Sequence, residues 1–273
     1  ELLGVEQSLV GFPNLDYISS EKTRALIDSG AITELGQNES MNTEKAIDLD
    51  PDVVVSFGVE GENKTLNSLQ RAKIPVLYNG DWTEHQPLGQ AEWIKFFAAL
   101  YDKEREADSI FKHIETRYTD LKEKALAAKD KPTVLSGAMF KDVWYLPKGD
   151  SWAAQLVADA NAAYLYADTE GTGSAALSVE SVLDKSQTAA FWIAPNAFAS
   201  YEALAEANDV YTQFDAYKNK TIYSFAKAKG ATGGMLYYEL APSRPDWVLE
   251  DLIGIFHPEL KQAGKPHFFF PLD

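Results

Sequence analysis

The chain has 273 residues, of which 25 are Lys or Arg and 41 are Asp or Glu, so its net charge is −16. This acidic balance excludes binding to nucleic acid or anionic membranes, which needs clustered cations, and the lack of cysteine excludes thiol catalysis, disulfide bonds and cysteine-ligated metal sites. A hydrophobic fraction of 45% excludes a disordered chain and, at this length, predicts two domains or one large one.

Five short apolar runs predict strands buried on both faces, because they are nearly continuous rather than alternating. They are residues 53–57, 75–78, 133–136, 190–193 and 221–225. Helical patterns lie between them, including one at 62–72 and one that begins after Ser178, which we expect to cap it. Alternating strands and helices are typical of parallel sheets covered by helices, so the sequence predicts an α/β fold.

Residues 103–129 interrupt this alternation. The segment contains no Pro or Gly and predicts a helix about 40 Å long. Its apolar residues recur at helical spacing: Ala107, Ile110, Phe111, Ile114, Tyr118, Leu121 and Ala125. An ordinary surface helix is the simpler interpretation. We prefer a linker between two lobes because strand and helix patterns resume after Pro132. The predicted organisation is an N-terminal lobe at 1–101, a linking helix at 102–130 and a C-terminal lobe at 131–273.

Aromatic and polar side chains concentrate in the loops that follow predicted strands. Open α/β sheets bind ligands beyond the carboxyl ends of their strands. The candidate ligand contacts are Trp82, Phe140, Lys141, Trp144, Tyr145, Asn196, Phe198, Tyr237, Tyr238 and Arg244. Each aromatic alone fits a core position and each cation alone fits a surface ion pair. Their concentration predicts a cleft that draws on both lobes and stacks on a large, flat, partly apolar ligand.

Signatures of catalysis do not accompany these residues. The Gly-rich segments 171–174 and 230–234 lack the spacing of a phosphate-binding loop, and we interpret them as flexible turns. The four histidines lack the close spacing of a metal-binding helix or turn. We therefore assign no catalytic residue, no metal ligand and no cofactor, and predict that the chain is not an enzyme.

Several segments, taken in order, resemble the periplasmic substrate-binding proteins of ABC importers for ferric siderophores, haem and cobalamin, the helical-backbone, TroA-like class. They are 44–55, with the pattern Glu-x-x-Ile-x-Leu-x-Pro-Asp-Val-Val-Val, then 74–76, 87–95, 244–252 and 256–260. The resemblance covers the chain from about Leu3 to about Leu260. It implies two Rossmann-like lobes with mostly parallel sheets joined by a single long α-helix, which agrees with the helix predicted from periodicity.

The resemblance also implies how the protein meets a membrane permease. One Glu on each lobe pairs with permease arginines in this family. The matching positions are Glu60 or Glu62, between which we do not choose, and Glu239. The family's first strand precedes the position of Glu1, so we expect residues upstream of this chain. Lipid-anchored members of this family carry a cysteine at the mature N-terminus. We expect the protein to be either such a lipoprotein facing the periplasm or a free periplasmic protein, and in both cases a monomer.

The predicted function is therefore capture of an iron-siderophore, or of a related metal chelate such as haem or cobalamin, in an aromatic cleft between the lobes, followed by delivery to the permease. If the ligand is haem, the axial residue is Tyr237, Tyr238 or His85. One alternative is direct metal-ion binding, which needs three or four converging His or carboxylate ligands. Another is a metal-cofactor enzyme on the same fold.

Overall fold

The computed structural model describes residues 1–38, 40–58 and 63–273. In these ranges the strands are β1 (Gly11–Phe12), β2 (Thr33–Glu34), β3 (Gly36–Gln37), β4 (Ser40–Met41), β5 (Val54–Phe57), β6 (Val76–Asn79), β7 (Thr133–Ser136), β8 (Ala138–Phe140), β9 (Val143–Pro147), β10 (Ala163–Tyr164), β11 (Ser174–Leu177), β12 (Phe191–Ile193), β13 (Ile222–Ser224) and β14 (Phe270–Pro271). The helices are α1 (Glu21–Asp28), α2 (Thr43–Asp48), α3 (Lys64–Arg71), α4 (Pro87–Glu92), α5 (Ile94–Ala98), α6 (Glu104–Ala125), α7 (Trp152–Asp159), α8 (Val179–Ser186), α9 (Tyr201–Ala207), α10 (Asp215–Lys218), α11 (Leu236–Leu240) and α12 (Pro245–Phe256). Strands and helices alternate, which confirms the predicted α/β class.

The predicted N-terminal lobe, residues 1–101, contains short parallel strand pairs. Strand β1 pairs with β2 and β5 pairs with β6, both in parallel, while β3 and β4 form an antiparallel hairpin. Helix α3 begins where the Asn63 side chain accepts a hydrogen bond from the Leu66 amide at 3.1 Å, and its buried face carries Leu66 and Leu69. These two leucines pack with Ala46 and Ile74, so a small core lies between the α2 and α3 helices and the β5–β6 pair.

Helix α6 is the long helix predicted from periodicity, and we call it the spine. Its 22 residues span about 33 Å, and the chain turns after Ala125 rather than continuing to 129. Ala107 packs near its start with residues of the N-terminal lobe, and Phe111 and Ile114 pack with Ala91. Its last buried residues, Tyr118, Leu121 and Ala125, belong to the main core of the C-terminal lobe. The apolar face of the spine therefore packs against the N-terminal lobe near its start and against the C-terminal lobe near its end, as expected for a linker. The residue boundaries of the two lobes remain predictions.

The predicted C-terminal lobe, residues 131–273, is built around a five-stranded sheet in the order β10-β7-β12-β13-β14. All of its pairings are parallel except that of β14 with β13. The sequence did not predict the second sheet, which is antiparallel with the order β11-β9-β8. Helix α8 begins directly after Ser178. The Ser178 side chain accepts a hydrogen bond from the Ser181 amide and so forms the predicted cap.

Candidate ligand-binding site

The C-terminal lobe contains a cavity of about 490 Å³ at the carboxyl ends of its parallel strands. Ser136 ends β7, Ile193 ends β12, and Phe225 directly follows β13, and all three line the cavity. A volume of this size suits a small organic ligand or chelate. Among the described residues, the lining comes entirely from positions between Ser136 and Phe269, so the cavity belongs to one lobe.

The β8–β9 hairpin supplies one wall of the cavity. Phe140 at the end of β8 is 61% exposed, and Tyr145 in β9 is also exposed; both line the cavity. The hairpin is anchored to the core because the Met139 amide donates to the Tyr211 hydroxyl at 3.0 Å. Gly137 is required at its base, since its φ is +79° and a Cβ there would lie 1.9 Å from the Tyr145 carbonyl oxygen. The hairpin thus presents two rings on a fixed backbone.

Helix α11 supplies a second pair of rings. The Tyr237 ring stacks on Phe225 with centroids 4.4 Å apart and planes 7° apart, and Tyr238 is 64% exposed. Both tyrosines line the cavity. Burial, with a smaller contribution from the neighbouring Tyr238, raises the pKa of Tyr237. Tyr237 is therefore a neutral phenol at physiological pH.

Two further predicted residues sit near this cavity and one does not. Asn196 lines it from the loop after β12, where its φ of +52° suits an asparagine. Lys141, at the hairpin tip, places its Nζ 5.6 Å from the centroid of the Phe140 ring, outside the lining. Phe198 packs against Tyr211 with ring centroids 5.9 Å apart and does not line the cavity.

In the N-terminal lobe, Trp82 lies in the turn after β6 and is half-exposed. The cavity lining does not include it, so the part of the chain that the structure describes does not gather aromatic residues of both lobes into one lining as the sequence predicted. His85 is exposed near Trp82 and is likewise outside the cavity.

Trp144 corrects a prediction. Its side chain is fully buried, with its ring 5.3 Å from that of Trp192, and its Nε1 donates to the Ser136 carbonyl at 3.1 Å. Successive residues of a strand point to opposite faces, so Tyr145 faces the cavity while Trp144 fills the core. The expectation that the Trp144 ring contacts a ligand is therefore wrong.

Arg244 is also occupied elsewhere. Its Nε and Nη2 donate to the two carboxylate oxygens of Asp246 at 2.8 and 2.6 Å. Its guanidinium carbon lies 3.6 Å from the centroid of the Trp247 ring. Asp246 is completely buried, so this pair keeps a buried carboxylate neutralised. Arg244 lies outside the cavity lining, and the internal ion pair is the interpretation that the structure supports.

Glu239 makes a contact between the lobes that sequence reasoning missed. Its Oε2 accepts from the Ser19 amide at 2.8 Å and its Oε1 accepts from the Ser20 amide at 3.1 Å. Ser20 caps α1, so the carboxylate lies at the N-terminal end of that helix, where the helix dipole favours an anion. The permease-docking role of Glu239 remains a prediction. The other docking candidates, Glu60 and Glu62, lie outside the described residues.

The Gly-rich segment 230–234 explains how closely the lobes approach. A Cβ on Gly230 would lie 2.3 Å from the Cβ of Ser19, and a Cβ on Gly234 would lie 2.2 Å from the Tyr17 carbonyl oxygen. The Ser19 hydroxyl also donates to the Gly234 carbonyl at 3.1 Å. This segment is therefore a contact surface and not only a turn. The recurrence of glycine was the available signal, since glycine permits close backbone approach.

Within residues 1–38, 40–58 and 63–273, no group of three or more His, Cys, Asp or Glu side chains is placed to hold a metal ion. No helix in the described ranges is both long and apolar enough to cross a membrane.

Parallel sheets at both ends of one long helix, with an aromatic cavity at strand carboxyl ends, define a two-lobed ligand-binding protein. The family model described as periplasmic binding protein matches residues 1–228, and the chain belongs to that family. The resemblance noted in the sequence is thereby confirmed. An uncharacterized lipoprotein of Methanocaldococcus jannaschii is 30% identical over 244 residues, which are 88% of this chain and 56% of that protein. The chain thus spans about half the length of that relative.

Solved structures share the fold. A periplasmic heme-binding protein from Pseudomonas aeruginosa is similar over 100% of this chain and 92% of its own, with 17% identity and a TM-score of 0.74. The Fe³⁺–Desferal-bound siderophore-binding protein of Vibrio cholerae is similar over 93% of this chain and 94% of its own, with 18% identity and a TM-score of 0.64. At such identities the likeness establishes the fold and leaves the ligand open.

Proposed function

We propose that this chain is the substrate-binding component of an ABC importer, and that it captures a metal chelate such as a ferric siderophore, haem or cobalamin and delivers it to the permease. The observation that carries this proposal is the aromatic cavity at the carboxyl ends of β7, β12 and β13. Its membership of the periplasmic binding protein family and the ligands named for two structural neighbours support the same class of cargo. No bond is made or broken in this function.

Exposed rings provide the binding free energy in this proposal. Phe140 and Tyr238 are each more than half exposed in the unliganded chain and line the cavity. Covering about 80 Å² of one such ring by a ligand would contribute about 2 kcal/mol at 25 cal/mol per Å². Trp82 would contact the part of the chelate that extends toward the N-terminal lobe. Lys141 at the hairpin tip would contact its rim.

Delivery of the chelate requires that the protein lie in the same compartment as the permease's binding face and carry a surface that docks on the permease. We propose that the protein works as a monomer in the periplasm, either free or held at the membrane by a lipid anchor. The relative from Methanocaldococcus jannaschii is named a lipoprotein, which supports the second form. Glu239, with Glu60 or Glu62, is the proposed pair of docking carboxylates. The alternative of direct metal-ion binding gains no support from any side-chain cluster in the described ranges.

The test is a titration of the purified chain with hemin, cyanocobalamin, ferrichrome and ferric enterobactin, followed by tryptophan fluorescence and visible absorption. At least one chelate should bind saturably, and Phe140→Ala and Tyr238→Ala should each raise its Kd by about 30-fold. Tyr101→Ala is the matched control, because this partly exposed tyrosine lies outside the cavity. Deleting the gene from its host should also lower uptake of the bound chelate.

Binding of none of the four chelates would refute the proposal. Equal losses of affinity in Phe140→Ala and in the Tyr101→Ala control would move the ligand away from this cavity.

A further inference from the structure

The chemistry of the cavity wall limits the charge of its ligand. Within the described residues, every side chain of the lining is uncharged. Most are aromatic or aliphatic, and the polar ones are hydroxyl or amide groups: Ser136, Ser174, Asn196, Tyr145, Tyr164, Tyr237 and Tyr238. An ion that enters such a cavity loses hydration and meets no opposite charge on the lining side chains, so its transfer is unfavourable.

Lys141, Lys148 and Arg244 are outside the lining of the cavity. Lys141 holds its ammonium above the outer Phe140 ring. Lys148 follows the lining residue Pro147, and its side chain lies beside Gly171, which does not line the cavity. Arg244 is bound to Asp246 by two hydrogen bonds. The net charge of −16 adds a long-range field that opposes anions.

The polar groups of the wall suit neutral oxygen atoms. A phenol or serine hydroxyl can donate a hydrogen bond to a carbonyl or hydroxamate oxygen without carrying charge. The Tyr164 hydroxyl already donates to the Pro147 carbonyl, so among the four phenols of the wall those of Tyr145, Tyr237 and Tyr238 remain as donors. Burial raises the pKa of Tyr237, so this group remains a donor and not a phenolate.

We infer that the ligand is an electrically neutral chelate whose metal is already fully coordinated, and that the uncharged wall discriminates against polyanionic chelates. This inference rests on the proposed function and names its substrate class. Three hydroxamates cancel the charge of ferric iron, whereas three catecholates leave a trianion and haem carries two propionates. A neutral tris-hydroxamate is therefore the class of siderophore that fits the wall.

The experiment compares neutral ferrichrome and ferrioxamine E with trianionic ferric enterobactin at one fixed ionic strength, by quenching of tryptophan fluorescence. The neutral chelates should bind about 100-fold more tightly than the trianion. Ser174→Lys places a cation in the wall at an exposed position of the lining and should reduce this ratio at least tenfold. Ser174→Met is the matched control, because it adds similar length without charge and should leave the ratio unchanged.

The outcomes separate the inference from the function on which it rests. Ferric enterobactin binding as tightly as ferrichrome, or more tightly, would overturn the inference and leave the importer proposal standing. A ratio that Ser174→Lys and Ser174→Met change equally would also overturn it, because size and not charge would then control selection. Failure of every chelate to bind would refute the importer proposal itself.

Discussion

The substitution Glu239→Ala tests the direct contact between the two lobes. The carboxylate accepts hydrogen bonds from the Ser19 and Ser20 amides, at 2.8 and 3.1 Å. Ser19 is buried, so its amide cannot easily exchange this acceptor for water while the lobes stay together. Removing the carboxylate leaves two amides at the start of α1 without their acceptor and should favour local opening of this contact.

The structure sets the size of the effect. A hydrogen bond to a charged acceptor contributes about 1.5–3 kcal/mol, and the lower value applies because Glu239 is partly exposed. Two such bonds give about 3 kcal/mol, which corresponds to an increase of about 100-fold in the population of the open contact. Glu239→Gln retains one carbonyl oxygen as an acceptor, so its effect should be about tenfold.

Hydrogen–deuterium exchange resolves this contact from the rest of the chain. Exchange at residues 19 and 20 should rise about 100-fold in Glu239→Ala, while exchange in the central strand β12 stays unchanged. Glu206→Ala is the control, since this exposed carboxylate lies on α9. Unchanged protection at 19 and 20 in Glu239→Ala would refute the reasoning. Faster exchange throughout the chain would show that the substitution acts on global stability instead.

Three further substitutions follow from the C-terminal lobe. Trp144→Ala empties a fully buried position and should lower the free energy of unfolding by about 3–5 kcal/mol in urea denaturation, whereas an unchanged midpoint would contradict its core role. Gly137→Ala would place a Cβ 1.9 Å from the Tyr145 carbonyl oxygen at a φ of +79° and should lower the Tm, while Gly173→Ala, whose Cβ meets nothing within 4 Å, should not. Burial raises the pKa of Asp251 above its unfolded value, so the folded state binds the proton more tightly and stability from this group falls as pH rises between the two values. Asp251→Asn should flatten that part of the curve of unfolding free energy against pH, and a superimposable curve would contradict this assignment.

Local sequence patterns were sufficient for the spine and for the parallel strands β7, β12 and β13 of the C-terminal lobe. The strand predicted at 133–136 is observed as Thr133–Ser136, and the cap predicted at Ser178 is formed. The spine was predicted because an uninterrupted helical period is a property of consecutive residues. The antiparallel sheet of β8, β9 and β11 was missed, since its strands are short and pair across a hairpin and a distant segment.

The candidate site was predicted only in part. The aromatic residues near strand ends include the cavity residues Phe140, Tyr145, Tyr237 and Tyr238, together with Trp144, which is buried in the core. Composition and spacing do not distinguish these cases, because exposure depends on which face of the hairpin meets the rest of the lobe.

The sequence by itself determined the α/β class, the long linking helix and the family, because each of these depends on local periodicity or on residues in order along the chain. The tertiary structure alone decided which rings face the cavity, that Arg244 neutralises Asp246, and that Glu239 binds the start of α1. These are contacts between segments far apart in the chain, and the burial and pairing of a side chain depend on the surface that packs against it.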